Sequence, residues 1–275
     1  MGKIDDIQAY KEWTEYHRSL KRDKAADNLS PVERKKKLEK LEANVIEWIL
    51  FFFSEFAKYP FTKFHKKAIK RITTNMEWYE VLSWSRELAK STIVFMCMMY
   101  LVLTGKKRNV LLISNSHENA VRLLEPYKKA FESNSMLKAY YGDLREFGSW
   151  TADEFTLTTG ATFRAIGALE SPRGTRKDAV RPDTALVDDF DTDADCRNPD
   201  ILKKKWEWFE EALFPTRSIS EDLLVIFCGN LIALDCCVKR AGDKADHWDI
   251  VNIRDKNGKS TWPQKNTEEM IDQVI

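Results

Sequence analysis

WSRELAKST, residues 84–92, is the stretch on which the reading of the chain turns. It closes a run with strand character, WYEVLSWS (78–85), and opens a run with helix character, 90–104, that stops at Gly105. Strand, short loop, lysine, hydroxyl, helix is the order that a phosphate-binding loop requires. Backbone N–H groups at the helix start, together with the helix dipole, favour a bound phosphate. Lys90 would put its charge on the β- and γ-phosphates of ATP, and the Ser91 hydroxyl would ligate Mg²⁺. The two glycines usual in such a loop are replaced by Trp84 and Ala89. Glycine permits positive φ and close backbone approach, so Ala89 is expected to serve only with near-helical backbone angles. Taken alone, the stretch fits an ordinary helical lysine equally well.

A second stretch shifts that balance. TALVDDFD (184–191) is a short apolar strand that ends in two aspartates. A buried strand that delivers acid to the carboxyl edge of a sheet is where α/β proteins place their ligands. Asp188 would hold the water shell of the magnesium ion, and Asp189 would orient or polarise the attacking water. Capping aspartates in a plain turn would look similar in isolation. The pair of stretches, in this order, supports a P-loop ATPase better than either does alone.

The rest of the chain agrees with an α/β architecture. NVLLISNS (109–116) reads as a strand and 117–133 as a helix; FTLTTGATFRAIG (155–167) reads as a hairpin turning at Thr-Gly. Residues 199–212 read as a helix, DLLVIFCGN (222–230) as a strand and DIVNIRD (249–255) as the last strand. Such alternation implies a mainly parallel central sheet flanked by helices on both faces. A small, highly charged helical arm or lid is expected over 1–59, where Ser30-Pro31-Val32-Glu33 is a helix start with a capping box. The ATPase domain is expected over 60–256, with a polar tail or linker over 257–275.

Composition narrows the classes. The formal net charge of the 275 residues is +1, so no global basic field argues for nucleic acid. The run ERKKKLEK (33–40) reads first as a solvated helix face. Five cysteines without a C-x-x-C pair suggest free thiols in a reducing compartment. Cys236, Cys237 and His247 lack the four-ligand spacing of a zinc site. The N-terminus is charged and has no apolar signal region, so secretion is not expected. The apolar run 92–103 falls short of the roughly 20 residues that span a bilayer, so no membrane contact is expected.

SRELAKST (85–92) resembles the deviant Walker A loop of viral large terminases, the ATPases that pump DNA into capsids. That variant often lacks the first glycine and carries an arginine where Arg86 stands. FTKFHKKAIKRI (61–72) is similar to the family's adenine-recognition segment, with His65 in place of the usual glutamine. LLISNSHENAVRLLEPYKKAF (111–131) and TLTTGATFRAIGALESPRGTR (156–176) resemble the segments that separate the loop from the acidic strand. TALVDDFD and VIFCGN (225–230) then fall in the order of Walker B and the coupling motif. The match runs from about residue 60 to 255.

The resemblance implies a P-loop NTPase fold of the ASCE or RecA-like type, with ATP and Mg²⁺ as cofactors. Nucleotide contacts are implied for Ser85, Arg86, Glu87, Leu88, Ala89, Lys90, Ser91, Thr92 and His65. Ser91 and Asp188 would hold the metal, and Asp189 would be the catalytic acid, one methylene shorter than the family's usual glutamate, with help from Asp191. Arg86 would reach the γ-phosphate from within the loop. Arg173 would be an arginine finger, acting on its own or a neighbour's nucleotide, and Arg176, Lys177 and Arg181 would extend a basic patch. Cys228, Gly229 and Asn230 would couple the γ-phosphate state to movement. Implied partners are double-stranded DNA, the portal protein, the small terminase subunit and further copies in a ring on the capsid, in the host cytoplasm. The family's C-terminal nuclease domain is not expected within this chain. A helicase-like P-loop ATPase and a non-catalytic nucleotide-binding docking module are the competing readings.

Overall fold

The computed structural model describes residues 29–172 and 180–274. Arg173, Arg176 and Lys177 fall outside the described residues, as does the arm before residue 29.

Helix α1 (Pro31–Glu42) starts as the sequence predicts. Ser30 Oγ accepts from the Glu33 N–H, and Glu33 Oε2 accepts from the Ser30 N–H at 2.9 Å. Helices α2 (Val45–Phe52) and α3 (Lys63–Thr74) follow. Strand β1 (Trp78–Trp84) leads into α4 (Lys90–Leu103), and β2 (Asn109–Ser114) into α5 (His117–Ser133), which Ser116 caps. After α6 (Ser135–Tyr141) come β3 (Arg145–Trp150), β4 (Glu154–Leu157), β5 (Thr162–Gly167) and β6 (Thr184–Asp188). The short α7 (Asp193–Cys196) precedes α8 (Pro199–Glu207), which continues as π-helix over Trp208–Leu213. Strand β7 (Leu224–Cys228), α9 (Cys237–Lys244), β8 (His247–Val251) and α10 (Glu268–Asp272) complete the chain.

One eight-stranded sheet holds these elements in the order β3-β4-β5-β2-β6-β7-β1-β8. The six strands from β5 to β8 run parallel; β4 and β3 extend one edge antiparallel. Side chains alternate between faces along a strand, and the core divides accordingly. Leu82, Leu112, Leu186 and Ile226 face α2, α3, α4 and α5. Val81, Ile113, Val187 and Phe227 face α8, the π-helical segment and α9. Both faces are therefore covered, which accounts for the uninterrupted apolar runs of β2, β6 and β7.

Three boundaries differ from the sequence reading. The last strand is His247–Val251, not 249–255, because Gly258 turns the following segment into a hairpin in which Arg254 pairs with Ser260. Residues 29–59 are no separate arm: Trp48, Ile49, Phe52 and Phe53 lie in the same core as α4 and α5. Burying each such side chain is worth about 1.5–3 kcal/mol, enough to hold α2 down. The segment after 257 is no loose tail either, since Trp262 and Ile271 are buried and the Trp262 indole donates to the Pro60 carbonyl at 3.0 Å.

Lys107 is buried at the foot of the sheet. Its ammonium donates to the carbonyls of Met76, Asp183 and Asp222 at 2.9, 3.0 and 2.9 Å. These residues stand just before β1, β6 and β7, and Lys107 itself stands just before β2. No helix among the described residues is long and apolar enough to cross a membrane.

Candidate functional site

Parallel pairing brings the carboxyl ends of three strands to one level. Cys228 of β7 lies between Leu82 of β1 and Asp188 of β6 in register. The loop Ser85–Ala89, the Asp188-Asp189 pair and the Gly229-Asn230 turn therefore emerge side by side. The candidate residues that were far apart in sequence meet here. Ser91 Oγ donates to Asp188 Oδ2 at 2.6 Å, and Lys90 Nζ donates to Asn230 Oδ1 at 3.5 Å.

The loop takes its shape from one buried side chain and two left-handed residues. Leu88 is buried and anchors it. Glu87 has φ +68° and Ala89 φ +57°, ψ +30°. The expectation of near-helical angles at Ala89 is thus corrected: alanine occupies the conformation that favours glycine. The apolar grip of Leu88 on the core holds the backbone there despite the methyl group. No side chain caps the N-terminus of α4. Its first-turn N–H groups have no intrahelical acceptor, so this end suits an anion.

Asp188 is 7% exposed. Burial, and then the neighbouring Asp189 carboxylate, push its carboxyl up to about 6, against the opposing pull of the Ser91 hydroxyl and the Lys90 charge. A buried acid beside a hydroxyl is a pair of hard oxygen donors that suits a divalent cation. Asp189 is exposed and has φ +48°, and its N–H donates to Asp188 Oδ1 at 3.1 Å. This strained turn is held from behind. Phe190 is buried, and the buried Lys205 ammonium donates to its carbonyl and, at 2.8 Å, to Asp195.

Asp191 does not join the acidic pair. Its carboxylate accepts from the N–H groups of Cys237 and Val238 at 3.1 and 2.9 Å, which caps α9. The proposed help to Asp189 is therefore corrected, because capping commits both oxygens elsewhere. Gly229 is required by close approach: a Cβ there would stand 2.2 Å from Val238 Cγ2.

His65 occupies a different place from the one its segment implied. It is fully buried, and its Nε2–H donates to the Leu88 carbonyl at 3.0 Å, while Nδ1 accepts from the Thr62 N–H at 3.2 Å. Burial lowers its pKa to about 4, so it is neutral at physiological pH. Both ring nitrogens are committed and the ring packs against Phe64, Trp84 and Trp262. His65 thus supports the loop from beneath and presents no edge to a nucleotide. Arg86 is exposed on the loop. Arg181 is exposed, with its guanidinium 3.4 Å from the Thr216 carbonyl.

Sequence reasoning missed the residues that brace the site. Lys265 donates to both the carbonyl and the carboxylate of Glu87 at 2.8 Å, and Asn266 donates to the same carbonyl at 3.4 Å. Lys205 and Lys265 lie in polar stretches, and no local pattern distinguishes them from solvated lysines.

A parallel α/β sheet with a lysine loop on one strand, acids on another and a third strand between them is the arrangement of a P-loop fold. Among solved structures, the chain is similar to the large terminase of bacteriophage HK97, with 13% identity and a TM-score of 0.50. The match covers 78% of this chain and 47% of that one, so the chain spans about half the length of the HK97 protein. It is also similar to an arginine-to-alanine mutant of the large terminase ATPase domain of Thermus phage P74-26, with 14% identity and a TM-score of 0.48, over 81% of this chain and 91% of that one. The likeness to the HK97 protein is one of fold. No family model matches the chain, and no curated protein does.

Proposed function

We propose that this chain is the ATPase motor domain of a viral large terminase, hydrolysing ATP to drive double-stranded DNA into a capsid. The observation that supports this reading is the meeting of Ser91 with Asp188, and of Lys90 with Asn230, across three neighbouring strand ends. In it, the triphosphate would lie on the first turn of α4, where the N–H groups from Ala89 to Thr92 and the Lys90 ammonium would bind its oxygens. Arg86, exposed beside it, reaches the γ-phosphate. Ser91 and Asp188, in contact at 2.6 Å, would hold Mg²⁺. Bound Mg²⁺ supplies positive charge against the phosphate oxygens. Asp189 orients the attacking water and draws on its proton. Asn230, touching Lys90, transmits the loss of the γ-phosphate to β7 and the chain that follows it.

DNA, the portal protein, the small terminase subunit and further copies in a ring are the partners that this function requires. Arg173 is the proposed finger that stabilises the charge of the transferring phosphoryl group. The test is Mg²⁺-dependent ATP hydrolysis over a wide protein concentration range, for the wild type, Lys90→Ala and Asp189→Asn. Turnover in the wild type that is lost in both variants supports the reading. Tight ATP binding without turnover at any concentration would instead favour the docking module. Absence of ATP binding refutes both.

A further inference from the structure

Asp189 stands on a turn that is fixed from the side away from the phosphate loop. Its φ of +48° is one that a residue with a Cβ keeps only where its surroundings over-determine the backbone. Its carboxylate is exposed and has no hydrogen-bond partner among the described residues, so the backbone decides where it points. The next three residues are each tied down. The Phe190 carbonyl accepts from the Lys205 ammonium, the Asp191 carboxylate accepts from the N–H groups of Cys237 and Val238, and the Thr192 N–H donates to Asp195 Oδ2 at 3.2 Å. Two of these ties converge on Lys205, because Asp195 Oδ2 also accepts from Lys205 Nζ at 2.8 Å. The lysine is 3% exposed, and its ammonium lies 4.6 Å from the centre of the buried Phe190 ring. Trp208 stacks on the same ring at 6.1 Å.

We propose that Lys205 is a positioning residue for Asp189: it locks the backbone that follows the acid, and so holds the carboxylate where it orients the attacking water. This role rests on the function proposed above and lies outside its nucleotide contacts. A buried ammonium is costly unless it is paired and hydrogen-bonded. Asp195 supplies the opposite charge, and the Phe190 carbonyl takes a charge-assisted hydrogen bond, which is stronger than a neutral one. Lys205 donates to Phe190 and Asp195 and to none of the groups assigned to phosphate or metal, Lys90, Ser91 and Asp188. Its removal therefore releases the turn and leaves the binding groups in place. Displacement of a reacting group by about 1 Å costs about a hundredfold in rate, so turnover falls while ATP affinity stays.

The test uses the whole chain as wild type, Asp189→Asn, Lys205→Met and Lys205→Met/Asp195→Asn. The double variant removes the carboxylate that the single one leaves unpaired, so it recovers stability without restoring the tie to Phe190. Three quantities are read: kcat for ATP with Mg²⁺, affinity for a non-hydrolysable ATP analogue by calorimetry, and hydrogen–deuterium exchange of the amides of 188–192 in the chain without nucleotide. Both lysine variants should lose about 10- to 100-fold in kcat, keep the analogue's affinity and exchange faster over 188–192. Wild-type kcat in the double variant would make Lys205 a stabilising residue only and overturns the positioning role. Exchange that does not rise, or a kcat loss matched by an equal loss of affinity, overturns it too, while the proposed function stands. A wild type without turnover, or an Asp189→Asn variant as active as the wild type, refutes the chemistry proposed for Asp189 itself, and the role of Lys205 with it.

Discussion

Replacing Ala89 with glycine should stabilise the protein, although glycine within a helix ordinarily weakens it. Ala89 has φ +57° and ψ +30°. A left-handed conformation costs an L-residue with a Cβ about 1–2 kcal/mol. Glycine removes that cost, but the unfolded chain gains flexibility worth about 0.4–1 kcal/mol. Loss of the half-buried methyl, which packs on the main core, keeps the gain at the lower end, about 0.5 kcal/mol. A right-handed, helical Ala89 would give the opposite sign, a loss of about 1 kcal/mol. The two cases differ by about 1.5 kcal/mol, which urea denaturation followed by circular dichroism resolves as a shift in midpoint at constant slope. Ala89→Val supplies the converse, because a β-branched side chain is worse in the left-handed region. A lowered midpoint for Ala89→Gly would refute the loop geometry described here.

Asp188→Asn tests the buried acid. Its carboxyl, raised from 3.8 to about 6, is more readily protonated folded than unfolded, so ionisation erodes stability as pH rises from about 4 to about 6. The shift corresponds to about 3 kcal/mol at neutral pH; without nucleotide the variant should therefore melt higher than the wild type at pH 7.5, with the gap closing near pH 4. An equal melting temperature at both pH values would count against the raised value. Lys107→Met leaves three buried carbonyls without their donor and should cost about 3 kcal/mol or more in a urea titration. Gly229→Ala forces a Cβ against Val238 and should lose about 1–3 kcal/mol, much of it recovered in Gly229→Ala/Val238→Ala.

What could be read from sequence follows from burial. Strands β2, β6 and β7 are apolar on both faces, and such runs stand out. Helix α5 begins and ends where the sequence places it because Ser116 caps a clear helical periodicity. Strand β3 was missed because it is a polar, largely exposed edge, and β8 was misplaced because Ile250 is solvent-exposed. At the candidate site, Lys90 and Ser91 at the start of α4, Asp188 at the end of β6 and Asn230 just past β7 lie together as their order suggests. The handedness of Ala89 was not legible, since a backbone angle held by the burial of Leu88 leaves no local pattern. Nor were Asp191, committed to the start of α9, and His65, turned under the loop. Their partners lie 46 and 23 residues away, beyond any local periodicity.

The Lys107 ammonium has a mechanical consequence. It clamps the feet of β1, β6 and β7 at a single point, beside the foot of β2. Sliding one of these strands along another would break a charge-assisted hydrogen bond in a dry environment, where such bonds are at their strongest. The sheet therefore acts as a stiff chassis fixed at its amino ends. In the proposed motor, a displacement at the opposite ends would be resisted along the strands. It would leave sideways, through Gly229-Asn230 into the exposed Leu231, Ile232 and Leu234, or through Glu87 into the segment that Lys265 ties to it.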